Sequence, residues 1–68
     1  MDRNEELELR QRLVALRLEH RDLDSKIVDL ERSGAADQLR ITRLKKLKLQ
    51  IKDQIAALED KLFPDIIA

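Results

Sequence analysis

Residues 43–53 read RLKKLKLQIKD. Leu44, Leu47, Leu49 and Ile51 are interleaved with Lys45, Lys46, Lys48 and Lys52, and a single acid, Asp53, closes the run. This pattern reads as the middle of a long helix, with an apolar seam on one side and a dense basic surface on the other. Outward from it, Ile41, Leu44, Lys48, Ile51, Ile55, Leu58 and Leu62 recur at alternating intervals of three and four. That is the heptad period of a coiled coil, interrupted only by Lys48. Asp37 is placed to cap the start. Pro64 is placed to end the helix, because the residue before a proline avoids the helical region. The spacing predicts a helix over about 37–62 and a short tail over 63–68.

The first half carries a matching seam. Leu9, Leu13, Leu16, His20, Leu23, Ile27 and Leu30 are spaced four and three without a slip, interrupted only by His20. A helix is expected over about 4–32, with Asp2 or Asn4 as N-cap. Gly34 takes a left-handed conformation cheaply and should end it, leaving 33–36 as a turn. Folding the chain there lays Leu30 on Ile41, Ile27 on Leu44, Leu23 on Lys48 and His20 on Ile51. Leu16 then meets Ile55, Leu13 meets Leu58 and Leu9 meets Leu62. Seven layers in one constant register predict an all-α fold, an antiparallel two-helix coiled-coil hairpin forming one small domain. Gly34 beside small residues argues against a single uninterrupted helix. On the flanks, Asp24 is expected near Lys45 and Arg10 near Glu59. Arg17 would meet Lys52 and Arg12 would meet Lys61, with Asp53 available to relieve Arg17. Exposed pairs of this kind are worth roughly 0.2–1 kcal/mol and tune a register without setting it.

Composition fits this reading. Charged residues make up 41% of the 68 residues and aromatics 1%, with one Gly, one Pro and no Cys. Such a composition belongs to coiled coils and long helices. Absence of Cys removes disulfides and thiolate chemistry. No apolar run approaches the ~20 residues of a membrane span, and the acidic start is unlike a signal peptide. A cytoplasmic chain with no membrane association is the expectation. Fourteen bases balance fourteen acids, yet Arg40 to Lys52 holds six bases and no acid. Glu5, Glu6 and Glu8 have a plain structural reason, since acids favour helix N-termini. The basic run, in mid-helix, has none.

Two helices cannot wrap their own core. Leu7, Val14, Leu18 and Val28 on the first helix, and Leu39, Leu47 and Leu49 on the second, lie off the seams. Exposed together they would mark an interface. The simplest cover is a second copy, giving a homodimeric four-helix bundle through Leu7, Val14, Leu18, Val28, Leu47 and Leu49. A protein partner could cover the same residues.

His20 and Lys48 break the seams in adjacent layers. A polar seam residue commonly sets alignment and oligomer state, and a lysine there can carry its ammonium outward. A recognition or pH-switch role for His20 is the sharper reading. His20, Asp24 and Asp53 make a poor metal or acid–base site, because the acids lie on different helices and no nucleophile is near. A two-helix hairpin also offers no concave pocket. Neither enzyme activity, metal nor cofactor is expected. The basic run could bind nucleic acid through Arg43, Lys45, Lys46 and Lys52, but no aromatic is available to stack on bases. Asp22, Asp24, Asp29 and Glu31 can instead neutralise it. The tail, Phe63 to Ala68, is either an end-cap or a short docking peptide.

His20, Leu23, Asp24 and Ile27, followed by Lys45, Lys46, Lys48, Leu49, Lys52 and Asp53, resemble the signature of the YdcH family of small bacterial proteins of unknown function. In that family a His-x-x-Leu-Asp-x-x-Ile segment precedes a Lys-Lys-x-Lys-Leu-x-x-Lys-Asp segment. The resemblance spans roughly Leu18 to Leu58. It implies a small, helical, coiled-coil-like bacterial protein without an assigned reaction. It also gathers both seam-breakers and the Asp24–Lys45 pair into one expected polar cluster of His20, Asp24, Lys45 and Lys48, with Lys46, Lys52 and Asp53 completing a candidate partner-binding set.

Overall fold

The computed structural model describes residues 2–34 and 37–64. Helix α1 spans Arg3–Arg32 and helix α2 spans Gln38–Leu62. Thirty residues at about 1.5 Å rise give roughly 45 Å, in keeping with the long axis of 48 Å in a 48 × 23 × 16 Å molecule.

Each helix starts on an aspartate. The Glu5 amide donates to Asp2 Oδ1 at 2.8 Å and the Arg40 amide donates to Asp37 Oδ1 at 3.1 Å, so one orphan N–H is satisfied at each start. Glu5 and Glu6 in the first turn of α1, Arg32 in its last turn and Lys61 in the last turn of α2 all complement the helix dipoles. At the end of α1 the Ser33 amide donates to the Asp29 carbonyl and the Ser33 hydroxyl donates to the Leu30 carbonyl, both at 3.0 Å. Gly34 follows at φ 72, and a Cβ there would meet nothing within 4 Å. The preference for glycine is therefore one of backbone conformation alone. Ala35 and Ala36 of the expected turn, and Asp65 to Ala68 of the expected tail, lie outside the described residues.

The helices run antiparallel with their seams facing. Every seam position is buried or half-buried, and among the described residues only Glu6, Glu59 and Phe63 join them in that state. Leu13, Leu16 and Leu58 are buried at 3%, 6% and 8% exposure, with Leu9, Ile51, Ile55, Leu62 and Phe63 packed around them. Ile27 and Ile41, buried at 5% and 6% exposure, lie apart from this cluster, toward the turn. Between them and the cluster lie His20, Leu23 and Lys48, all half-buried. The polar seam residues thus divide the core in two. Phe63 covers the open end, and the Arg10 guanidinium sits 5.3 Å from its ring centroid. The first residue of the tail is therefore part of the end-cap.

Leu13→Ala should lower stability by about 2–5 kcal/mol, most of what a core of this size supplies. Urea unfolding followed by circular dichroism reads this, and Leu39→Ala at an exposed site should stay within about 0.5 kcal/mol of wild type. Cysteines introduced together as Leu16→Cys and Ile55→Cys should crosslink within one chain on oxidation. Crosslinks found only between chains would refute the hairpin.

Candidate functional site

With the first seam residue of each heptad written a and the second d, Leu13, His20 and Ile27 are a positions in α1. In α2, Ile41, Lys48, Ile55 and Leu62 are a positions. The side chain of Lys48 starts inside the seam opposite Leu23. Its aliphatic stem lies between the helices, and its Nζ leaves the seam to donate to Asp24 Oδ1 at 2.6 Å. Lys48 keeps 33% of its side-chain surface and Asp24 keeps 55%. Asp24 sits one turn after His20, so His20, Asp24 and Lys48 form one polar layer across the hairpin. The Lys48 ammonium, by hydrogen bond and by charge, holds the Asp24 carboxyl below the ordinary carboxylate value; slight desolvation opposes this and neighbouring His20 adds to it.

The other flanking charges depart from expectation. Asp24 takes Lys48 and not Lys45. Lys45 lies 3.6 Å from Glu31, one turn nearer the loop. Glu59 meets Arg17 at 3.9 Å, and Arg10 turns along its own helix to Glu6 at 3.0 Å. In an antiparallel coil the residues immediately after d (e positions) line the same side of both helices, and the expected partners are e positions too. Arg17, Lys45 and Glu59 each take the e position of the facing helix one heptad beyond the expected one. The expected Arg17–Lys52 repulsion is answered by Glu59, not by Asp53.

The candidate set therefore does not form a single cluster. His20, Asp24 and Lys48 come together; Lys45 belongs to the next turn. Lys46, Lys52 and Asp53 are exposed on α2 and carry no ion pair among the described residues. No three His, Asp or Glu side chains among the described residues are placed to hold a metal.

The exposed apolar residues are Leu7, Val14, Leu18, Val28, Leu39, Leu47 and Leu49, at 41–63% exposure. They divide between faces of the hairpin. Leu49 lines a surface trough with Lys45, Lys48 and Lys52. Leu47 lines another with Glu19, Asp22, Leu23 and Lys26. Leu7, Val14 and Val28 occupy the α1 stripe next to the e positions and so share the face of Leu49. That face carries all three interhelical ion pairs among the described residues, Arg17–Glu59, Glu31–Lys45 and Asp24–Lys48. The opposite face, which holds Leu47, has no interhelical ion pair among the described residues. On it α1 presents Glu5, Glu8, Glu19, Asp22 and Asp29 against Arg12 and Lys26, while α2 presents Arg40, Arg43 and Lys61 with no acid. From sequence, Glu59 is expected beside Arg10 and Glu31 among the acids facing the basic run; their pairing with Arg17 and Lys45 was missed.

Because the folded-state value of Asp24 lies below its ordinary 3.8, the ionised carboxylate favours the folded state above that pH, and the contribution is lost as pH falls through the folded value. The stability gap between wild type and Asp24→Asn should be open at pH 7 and narrow as pH falls below about 4. Urea midpoints across that range test this. A gap of constant size would show that the Lys48 contact does not act through charge.

No curated protein and no solved structure matches the chain. Residues 13–59 match the family described as "Protein of unknown function (DUF465)". The matched span contains His20, Asp24, Lys48 and both partners of every interhelical ion pair. The chain is thus a member of this family, a small helical hairpin whose shared segment includes the polar layer and the ion-paired face.

Proposed function

We propose that the protein is a non-enzymatic coiled-coil interaction module that self-associates as a homodimer and binds a protein partner. The observation that carries this reading is the set of seven large apolar side chains at 41–63% exposure, against five buried ones, among the described residues. A two-helix unit leaves such side chains for a partner to cover. The resemblance of the His20 to Asp53 stretch to YdcH proteins supports a bacterial and cytoplasmic setting. No helix among the described residues is long and apolar enough to cross a membrane.

A second reading has its own support. Arg40, Arg43, Lys46 and Lys52 lie exposed on α2 without an ion pair among the described residues, which suits a phosphate backbone. Lys45, held by Glu31, is the weakest member of the expected nucleic-acid set.

Sedimentation equilibrium separates these readings. The chain should show twice its 8.0 kDa mass at concentrations where a labelled duplex and a labelled single strand remain unbound at physiological salt. Phosphate binding would instead appear as affinity that falls steeply with salt and is lost in Lys46→Glu with Lys52→Glu. That result would replace the first reading with the second. A monomer at every concentration would refute self-association.

A further inference from the structure

The geometry points to the face of the hairpin that lacks interhelical ion pairs as a self-complementary docking surface for a second copy, with the two-fold axis parallel to the helices. This rests on the reading that the hairpin self-associates and adds which face and which orientation it uses.

The argument starts from charge. On this face α1 is acidic and α2 is basic, and no interhelical ion pair joins them among the described residues. A two-fold interface repeats one patch on both subunits. Two orientations keep the helices aligned. An axis across the helices would lay α1 on α1 and set acid against acid. An axis along the helices lays α1 of each copy on α2 of the other, with directions opposed and levels unchanged. Asp29 then lies within about one residue rise, ~1.5 Å along the helix axis, of the level of the partner's Arg43. Ala15 comes level with the partner's Ala57, where two small side chains let the backbones approach. Leu47, 46% exposed, points toward the mid-line of this face. The axis therefore brings both copies of Leu47 to the same level, where each covers the other.

The opposite face, with Leu7, Val14, Val28 and Leu49 exposed, is left for the protein partner and is less suited to a second copy. Its mid-line is filled by three ion pairs whose charges are already satisfied, and burying them would remove solvation without adding partners.

Sedimentation equilibrium at low salt, with circular dichroism as a check on helicity, tests the assignment. Leu47→Arg should raise the dimer dissociation constant at least tenfold, while Leu49→Arg on the other face should leave it unchanged. Asp29→Arg and Arg43→Asp should each weaken the dimer, and the two together in one chain should restore it. A dimer that tolerates Leu47→Arg but dissociates on Leu49→Arg or Val14→Glu would overturn this face and leave self-association standing. A wild-type monomer at every concentration would remove both.

Discussion

A pair of helices shares one interface, so each can bury one stripe. That limit governs the whole molecule. The seam residues satisfy it completely: none of them is fully exposed, while Leu39 at 63% and Leu49 at 61% stay in solvent although they are as apolar as any seam residue. Position around the helix, and not hydrophobicity alone, decides which leucines are buried. Leucines outside the stripe remain available for contacts that the isolated hairpin cannot make.

The polar layer has to be understood within that limit. A charge placed in a seam reduces apolar burial, and half-exposed ion pairs stabilise weakly. Alignment is the better explanation for Lys48. A slip of one heptad would set Lys48 against Leu16 or Leu30 and carry its ammonium away from Asp24. The 2.6 Å contact is made in only one of the available registers. Arg17–Glu59 and Glu31–Lys45 are matched in that same register. Charge thus selects among alignments that burial alone would leave close in energy.

The seams, both aspartate caps, the left-handed Gly34 and the exposed apolar set were legible in the sequence, because each depends on local chemistry or on a simple period. Ion-pair partners were not. Pairing Asp24 with Lys45 and Arg10 with Glu59 picks the right flank, since all four are e positions, but each e position has two candidates on the facing helix one heptad apart, and the period alone does not choose between them. Lys48 adds a second difficulty. Its position lies in the seam, yet its long side chain places the charge on the flank, so its partner depends on reach as well as on position. The division of the exposed apolar residues between two faces was hidden for a related reason. Leu47 and Leu49 are close in sequence but project to opposite sides of the hairpin.

The divided core has a consequence for how the chain folds. Ile27 and Ile41 close a short loop around Gly34, so bringing them together sacrifices little chain entropy. Leu13, Leu16 and Leu58 must close most of the chain, yet they bury the larger cluster. The turn end is therefore cheap to form and thinly packed, whereas the open end is costly to form and well packed. With the His20–Lys48 layer between them, the hairpin behaves as a zipper that starts easily at the turn and is held shut at its far end.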